Sequence, residues 1–321
     1  MLNLGFKGKG MEYPHQPVMV HEVIDNLIPS EKGLYVDGTV GSGGHSEAIA
    51  QKIGFRGRLI CLDRDPAAIR LSKERLRPFG QKVILVHSNY ALMDQVLKES
   101  GYEKVNGILL DLGLSSYQIE ESGRGFSFQK DEPLDMRMNP EQELTADLII
   151  NRSSLKELER LLKGFGEEKK ARLIAKKIDR ERQKVQISST LQLVNIIQST
   201  VYRSQRVRDK HPATLTFQAL RIAVNRELEN LSSFLEKVPD LIQKGGRLVI
   251  LSYHSLEDRL VKKAMIGWEN PCTCPPGLPE CACGKDPLFK RPFKKAKKPE
   301  QQEIYENPRA RSARLRVTER I

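Results

Sequence analysis

The sequence predicts an α/β fold in which a mostly parallel sheet is interrupted by an all-helical domain. Short, continuously apolar runs alternate with helical stretches over residues 1 to 112, and the same rhythm resumes over residues 214 to 321. The first two runs enclose a glycine-rich turn, whereas residues 113 to 213 contain no strand-like alternation. Continuously apolar strands are typical of a parallel sheet that is buried on both faces.

The first segment of the sheet supplies four predicted strands. They are Leu34–Val36, Leu59–Leu62, Val83–Val86 and Val105–Leu110. The accompanying helices are predicted at Val20–Ile28, Ser46–Ile53, Pro66–Leu76 and Ala91–Ser100. Pro66 suits the first turn of its helix, because a backbone N–H at that position would have no helical partner.

The alternation stops at Gly113, where the predicted helical domain begins. Residues 114 to 140 have no clear period and predict a long loop, and such loops in compact domains are usually functional. Helices are then predicted at Thr145–Ile150, Ser154–Leu162, Glu167–Glu181 and Ser189–Thr200.

The second segment of the sheet is predicted from residue 214 onward. A helical face runs from Phe217 to Leu235, a fifth strand covers Leu248–Leu251, and a helix covers Ser255–Met265. Residues 271 to 308 are rich in proline, lysine and cysteine and lack periodicity. Arg314–Thr318 alternates apolar and charged residues, which predicts a closing strand at the edge of the sheet.

The glycine-rich turn between the first two strands predicts a nucleotide-binding site. Strand, glycines, helix and a second strand ending in Asp63 follow one another, and this order is typical of half a nucleotide-binding sheet. However, Ser46 stands where a dinucleotide site has its third glycine, and Asp37 would add negative charge near a phosphate. S-adenosylmethionine is cationic and carries a ribose, so two acids at adjacent strand ends suit it better.

Polar residues at four strand ends would share this ligand, because such ends converge at one edge of an open sheet. Gly43, Gly44 and His45 would pass beside the methionine portion. Asp63 would accept hydrogen bonds from the ribose, Tyr90 would stack on adenine, and Asp111 would lie near the transferring group. The alternatives are that Asp111 caps a turn, that Tyr90 packs in the core, and that the glycines only make a tight turn.

The composition favours a polyanionic partner. Lys and Arg number 53 against 41 Asp and Glu, a net charge of +12. Basic residues concentrate in the segments 169–184, 203–210, 290–298 and 309–320. Phe126 and Phe128 could stack on a base or pack in the core. No apolar run approaches the ~20 residues of a membrane span, and no signal peptide is visible, so we expect a soluble cytoplasmic protein without a membrane partner.

Four of the five cysteines cluster late in the chain. Cys272, Cys274, Cys281 and Cys283 have the right number for tetrahedral zinc, although one-residue spacing within each pair is tighter than usual. The alternative is a proline-rich loop with thiols that bind no metal. The remaining thiol, Cys61, lies in the second predicted strand, where we expect it to be buried.

The segment from Asp37 to Ser46, Asp-Gly-Thr-Val-Gly-Ser-Gly-Gly-His-Ser, resembles the signature of the bacterial MraW/RsmH family. Agreement continues in the family's order through residues 63–66, 111–118, 124–128, 133–138, 217–227 and 253–259. Tyr117, Glu132 and Asn139 depart from the usual Pro, Gly and Asp, all within the predicted loop. These departures leave the conformation of that loop open rather than the chemistry.

The resemblance implies a class I, Rossmann-like fold that depends on S-adenosyl-L-methionine. It also implies methylation of the exocyclic N4 amine of one cytosine in 16S ribosomal RNA of the small ribosomal subunit. We expect the helical domain to recognise the RNA, because it interrupts the sheet after Asp111 and carries a basic helix. The cofactor contacts it implies fall on Gly43, Gly44, His45, Asp63, Tyr90, Asp111 and Gln118.

The chemistry of an exocyclic amine requires an acceptor, since the lone pair is delocalised into the ring and positive charge develops during transfer. Asp111 is the first candidate acceptor and His254 the second, although His254 could equally be a helix-start residue. Rival functions are a methyltransferase for DNA or a small molecule, a dinucleotide oxidoreductase, and a non-catalytic RNA-binding protein. The sequence leaves open whether naked RNA or an assembled subunit is the substrate, and whether the protein is a homodimer.

Overall fold

A computed structural model of the protein describes residues 17–201, 211–275 and 282–321, in which seven strands form one sheet. The strands are β1 (Leu34–Asp37), β2 (Arg58–Asp63), β3 (Val83–His87), β4 (Val105–Asp111), β5 (Ile242–Ser252), β6 (Phe289–Lys290) and β7 (Arg314–Arg320). Their order across the sheet is β3-β2-β1-β4-β5-β7-β6. Neighbouring strands are parallel from β3 to β5, and β7 runs antiparallel to both β5 and β6.

Helices cover the sheet and form a second body inserted between β4 and β5. The helices are α1 (Val20–Leu27), α2 (Gly44–Lys52), α3 (Pro66–Leu76), α4 (Met93–Glu99), α5 (Ser116–Glu120), α6 (Ala146–Arg152), α7 (Leu155–Gly166), α8 (Ala171–Arg182), α9 (Thr190–Val201), α10 (Thr214–Asn225), α11 (Glu227–Leu241), α12 (Ser255–Glu269) and α13 (Gln301–Glu306). Across the described ranges, no helix is both long enough and apolar enough to span a bilayer.

The central strands bury both of their faces, as the continuously apolar runs predict. Val36 and Ile108 pack into a hydrophobic cluster on one side of the sheet, whereas Tyr35 and Leu109 pack into another on the opposite side. The buried Tyr35 hydroxyl donates a hydrogen bond to the Ser30 carbonyl at 2.6 Å, so its polar end is satisfied. Burial on both faces fixes the register of the strand ends, from which the candidate site is built.

β7 is not the edge strand that the sequence predicts. It pairs with β5 on one side and with the two-residue strand β6 on the other, so β6 lies at the edge. The alternation of charged and apolar residues predicts an edge strand whose charged side chains face solvent, but Arg316 is only 9% exposed. Its guanidinium Nε donates to Asp258 Oδ1 at 2.7 Å, and this ion pair lets a charged residue sit inside the sheet.

The helical body has its own hydrophobic core, formed by α6 to α10 together with the loop after β4. The predicted domain boundary at residue 213 stays a prediction, but Phe217, Leu220 and Val224 of α10 pack into this same core. The predicted helix over Phe217 to Leu235 is two helices, because Arg226 between α10 and α11 adopts a φ of 48°. The predicted helix at Glu167 begins at Ala171 instead.

The segment between α12 and β7, predicted to lack regular structure, contains β6 and α13 within its described part. It folds back over the rest of the molecule. Glu303 of α13 accepts a hydrogen bond from the Met19 backbone N–H at 2.6 Å, just before α1. The rings of Trp268 and Phe289 lie 5.0 Å apart and hold the start of β6 against α12. This segment therefore closes one side of the cleft described below.

Candidate active site

A cleft lies at the carboxyl ends of β1, β2 and β4, the edge at which open parallel sheets bind ligands. Residues of the glycine turn form one wall, and residues that follow β4, β5 and α13 form the others. Lining residues include Gly41, Gly44, His45, Asp63, Arg64, Tyr90, Asp111, Gln118, Glu227, Tyr253, Glu257, Asn307 and Arg309. Six of the seven predicted cofactor-contact residues therefore meet in one cleft.

The seventh, Gly43, serves the turn itself. It precedes α2 with a φ of 84°, a conformation that residues with a Cβ rarely adopt. An added Cβ would also touch Ser72 and Arg75 of α3 at 3.4 Å. Gly38 is constrained differently, because a Cβ there would collide with the side chain of Leu110. These two glycines let the turn lie flat against the sheet and α3.

Asp37 stabilises the turn from behind and does not face a ligand. It is 1% exposed, and its carboxylate accepts hydrogen bonds from Ser46 Oγ at 2.6 Å and from the Thr39 N–H at 3.1 Å. The interpretation of Asp37 as a partner for a cationic ligand is therefore wrong, and the Ser46 hydroxyl instead locks the turn to β1. Cys61 lies against the same Ser46 hydroxyl at 3.2 Å, and its predicted burial in β2 is confirmed.

Asp63 ends β2 with its carboxylate held by two backbone donors. Oδ2 accepts from the Gly41 N–H and Oδ1 from the Asp65 N–H, each at 2.9 Å. Burial raises the pKa of Asp63 to about 6, even though both hydrogen bonds lower it; the negative charges of Asp65 and Asp37 add to the increase. The carboxylate is thus fixed in direction and poised to accept further donors from the cleft.

His45 and Asp111 face each other across the cleft floor. His45 Nε2 lies 3.5 Å from Asp111 Oδ2, and the histidine is 6% exposed. Neither ring nitrogen of His45 has a hydrogen-bond partner among the described residues, which is uncommon for a buried imidazole and indicates a ligand atom here. Asp111 is itself fixed, since its N–H donates to Thr39 Oγ1 at 2.7 Å and its Oδ1 accepts from the Gly113 N–H at 3.3 Å.

Two tyrosines, Tyr90 and Tyr253, line the same cleft as Asp63 and Asp111. Tyr253 follows β5; burial raises its pKa well above the usual value, and the charge and hydrogen bond of the Asp111 carboxylate raise it further. Tyr90 follows β3 and meets Phe234 edge-on, with ring centroids 5.7 Å apart. Burial is also the main cause that raises the Tyr90 pKa. Both hydroxyls therefore stay protonated, and both side chains line the cleft.

Gln118 reaches the cleft through the predicted loop, which contains α5. Its Nε2 donates to Asp65 Oδ2 at 3.0 Å, and its Oε1 accepts from the Ser115 N–H at 3.1 Å. Arg124 Nη2 donates to the same Asp65 oxygen at 2.6 Å, and its Nη1 donates to the Met138 carbonyl at 2.9 Å. Asp65 is 1% exposed, so this buried network fixes the loop against β2 and α3.

The positions of Asp63, His45 and the glycine turn fit S-adenosylmethionine. A fixed carboxylate at the end of β2 suits ribose hydroxyls, and a buried imidazole with unsatisfied nitrogens suits a charged amino-acid end. Gly41 and Gly44 of the turn between them line the same cleft, so backbone without side chains forms part of its wall. The residues present therefore fit the cofactor that the sequence predicts.

The comparisons with known proteins decide the family. A family model described as the MraW methylase family matches residues 12–321. The chain belongs to the MraW methylase family. It is 47% identical over 311 residues to ribosomal RNA small subunit methyltransferase H of Clostridium botulinum (strain 657 / Type Ba4), a match that covers 97% of this chain and 100% of the relative. The protein of that name from Heliobacterium modesticaldum is 46% identical over 312 residues, with coverage of 97% and 100%.

The resemblance to the MraW/RsmH family is thus confirmed, and the chain has the class I S-adenosylmethionine-dependent methyltransferase fold. Among solved structures, fibrillarin of Aeropyrum pernix with natively bound S-adenosyl-L-methionine is 8% identical, with a TM-score of 0.39 over 90% of this chain and 67% of that one. The fold class rests on the strand order and on the family match. A structural likeness this remote carries no further argument.

His254, the second candidate acceptor, caps α12 in this family member. Its Nδ1 accepts a hydrogen bond from the Glu257 N–H at 3.4 Å, while Glu257 Oε2 accepts from the Tyr253 N–H at 3.0 Å. The His254 Nε2 lies 3.2 Å from Glu257 Oε1, and His254 is not among the described residues that line the cleft. The structure therefore supports the alternative that His254 is a helix-start residue. Its neighbours Tyr253 and Glu257 line the cleft instead.

Sequence reasoning gave no role to several lining residues. Glu227 begins α11 and is held by both Nε and Nη2 of Arg221 at 2.8 Å. Arg309 donates to Ser116 Oγ and to Glu120 of α5. Glu227 lies within a stretch that matches the family, which was a usable signal. Arg309 lies in a basic segment that the sequence associates only with a polyanionic partner, so no local pattern could have placed it here.

The structure places some of the remaining predicted residues and leaves others outside its described ranges. Phe126 is 8% exposed within the helical core, and Phe128 stacks on His211 at 4.5 Å, so packing and not base stacking accounts for both rings. Of the predicted zinc ligands, Cys272, Cys274 and Cys283 lie close together, whereas Cys281 falls outside the described residues. The basic segment 203–210 is also outside them.

Proposed function

We propose that this protein transfers the methyl group of S-adenosylmethionine to the exocyclic N4 amine of a cytosine in the 16S RNA of the small ribosomal subunit. The observation that carries the proposal is the match over 97% of the chain to relatives named ribosomal RNA small subunit methyltransferase H. The cleft adds the chemistry, since its acids and glycine turn form a site for this cofactor beside a carboxylate acceptor.

The cofactor would be held by residues of three strand ends. Asp63 would accept from the ribose hydroxyls, Tyr90 would pack against adenine, and His45 would contact the amino-acid end with its unsatisfied nitrogens. When bound, S-adenosylmethionine supplies a methyl group on a sulfonium, which makes that carbon electrophilic. Gln118, whose amide is already held by Asp65 and Ser115, would contribute mainly by positioning the loop.

Asp111 would orient the cytosine amine. Its carboxylate is fixed by the Gly113 N–H and faces the cleft floor beside His45, so an amine hydrogen could be accepted without rearrangement. Accepting that hydrogen bond would stabilise the positive charge that develops on nitrogen as the new C–N bond forms and the bond from the methyl carbon to sulfur breaks, with its electron pair left on sulfur. The proton can then leave to water, since Asp111 is partly exposed.

Other methyl acceptors fit this cleft less well. Methylation at cytosine C5 commonly requires a thiolate. Cys61 is buried against Ser46, and burial raises the pKa of its thiol well above the usual value. Ribose methylation calls for a base such as lysine, and none of the described residues that line the cleft is a lysine. An amine target is therefore the best match.

A methyl-transfer assay tests the proposal. Small subunits purified from cells that lack this enzyme would be incubated with protein and methyl-labelled S-adenosylmethionine, followed by mass spectrometry of the nucleosides and of nuclease fragments of the 16S RNA. We expect N4-methylcytidine at one position. Product at C5 or at the 2′-oxygen would overturn the amine assignment, and no transfer to either subunits or free 16S RNA would overturn the substrate.

A further inference from the structure

A cluster of three cysteines lies outside the cleft, in the described parts of the segment that joins α12 to β6. Cys272 and Cys274 follow the end of α12, and Cys283 precedes β6. Their three sulfur atoms all lie within 4.8 Å of one another. Two stretches of the chain that are separated in sequence therefore bring their thiols to one point.

The spacing of these sulfurs suits a metal better than a disulfide. Thiolates bound to tetrahedral zinc at about 2.3 Å would be roughly 3.8 Å apart, a separation that lies within the 4.8 Å limit on these three sulfurs. A disulfide joins only two sulfurs and would leave the third beside them without a covalent role. Zinc binds cysteine as the thiolate, and Zn²⁺ would compensate the charge of three thiolates at one point.

The surrounding structure brings both ends of this segment together but gives it no core. At its base, the Leu288 N–H donates to the Trp268 carbonyl at 2.9 Å, and Arg291 Nε donates to Glu269 at 2.8 Å. Beyond that base, every described residue from 270 to 275 and from 282 to 287 is exposed or only partly buried. A segment without buried apolar side chains needs another source of order, such as a metal.

A backbone feature next to Cys283 is consistent with this arrangement. Gly284 has a φ of 62°, in the left-handed region, and nothing lies near the position of its missing Cβ. The chain therefore turns sharply directly after the thiol, so that Cys283 can point back toward Cys272 and Cys274. Glycine is favoured here by the positive φ of the turn and not by lack of space for a side chain.

We propose that Cys272, Cys274 and Cys283 bind one Zn²⁺ as thiolates in a structural site that fixes the segment between α12 and β6. The site is separate from methyl transfer, because its ligands lie outside the cleft. Cys281 is outside the described residues and is not part of the proposal. Since zinc has no redox chemistry of its own, the site would supply order and not catalysis.

The first experiment measures metal in the full-length protein. Protein purified without chelator should contain zinc at about one ion per chain by elemental analysis, with little iron. Protein stripped of metal under reducing conditions should take up Co²⁺ and show the thiolate-to-metal charge-transfer and tetrahedral absorption bands. Absence of zinc together with no Co²⁺ bands would overturn the proposal, and so would a disulfide between two of the three cysteines by mass spectrometry.

Serine variants with a matched control locate the site. Cys272→Ser, Cys274→Ser and Cys283→Ser should each lower the zinc content at least about tenfold. Cys61→Ala, which removes the buried thiol of β2, should keep it. Zinc that persists in the three serine variants, or that is lost from Cys61→Ala, would place the metal elsewhere and overturn the assignment. Methyl transfer by the serine variants is read separately, so that failure of one proposal leaves the other testable.

Discussion

Asparagine has nearly the same shape as aspartate but no charge, so it can separate the position of the Asp111 side chain from its charge. Asp111→Asn should keep the hydrogen bond from the Gly113 N–H while it removes the negative charge opposite the developing cation. We expect methyl transfer to fall by on the order of 10²-fold or more, with a smaller loss of cofactor affinity. Single-turnover transfer and calorimetric titration with S-adenosylmethionine measure the two effects.

Asp25→Asn on the exposed surface of α1 makes the same chemical change away from the cleft and serves as the control. It should retain normal turnover. If Asp111→Asn also turns over normally, Asp111 is not the acceptor and His45, 3.5 Å away, becomes the group to replace next.

The raised pKa of Asp63 predicts proton-linked cofactor binding. Burial raises the pKa to about 6, and a ribose needs the ionised carboxylate as acceptor. As the pH falls through about 6, Asp63 takes up a proton that binding must release, so affinity should weaken, approaching tenfold per pH unit. The dissociation constant of S-adenosylmethionine between about pH 7.5 and pH 5 measures this.

Asp63→Asn provides the comparison, since an amide does not titrate. Its affinity should be lower at neutral pH, and the part of the pH dependence that Asp63 causes should vanish. Equal pH profiles for the two proteins would show that Asp63 is not the titrating group.

Single residues that end buried strands were predictable, because the strand pattern shows where the sheet edge lies. Asp63, Tyr90 and Asp111 could be placed at one cleft for this reason. The role of Asp37 could not, since a carboxylate that faces a buried serine and one that faces a ligand have the same sequence signature. Distinguishing them requires the direction of the side chain.

Helix α8 offers a charged face that the proposed function can use. Ile174 and Ile178 are buried in the helical core, whereas Arg172, Lys176 and Arg180 are exposed at intervals of one helical turn. Replacement of the three exposed residues by Glu should weaken RNA binding and reduce its salt dependence, because phosphate contacts release counterions. Filter binding of 16S RNA over a range of salt concentrations measures both.

Lys32, Lys52 and Lys98 provide a matched control, since all three are exposed on the α/β body and the change in charge is identical. Their replacement by Glu should affect binding only through overall charge. Equal losses in the two triple variants would mean that α8 is an ordinary solvated face.

Elements with strong local patterns were predictable and those defined by distant partners were not. β2 and β4 differ from their predicted bounds by one residue at each altered end, because both faces are apolar. β5 begins six residues earlier than predicted, through polar residues that the apolar pattern excludes. The two residues of β6 form a strand only because β7 lies beside them. The break between α10 and α11 occurs at Arg226, which adopts a left-handed conformation, and no glycine in the sequence marks that position.

At the scale of the whole molecule, the buried pair Arg124–Asp65 joins the helical body to the sheet. Arg124→Met would leave the Asp65 carboxylate buried without its cation, which typically costs about 3–5 kcal/mol. We expect the free energy of unfolding to fall by that amount in urea titrations. The loop that carries Gln118 would loosen with it, so cofactor affinity should also drop.

The double variant Arg124→Met with Asp65→Asn tests the cause. Because it removes the buried charge as well, it should be more stable than Arg124→Met alone. If the effects of the two substitutions simply add, the pair does not couple the two bodies.

The place of β7 within the sheet has a consequence for protein synthesis. β7 follows every other strand along the chain, yet it lies between β5 and β6. Until the ribosome has made residues 314 to 320, the nascent chain exposes the long unpaired edge of β5, an open template for association with other chains. The cleft wall contributed by Arg309 also arrives late. A nascent chain therefore completes both its sheet and its cleft only after residues 309 to 320 have been made, and chains that stop before Arg314 should aggregate instead of accumulating as weaker enzymes.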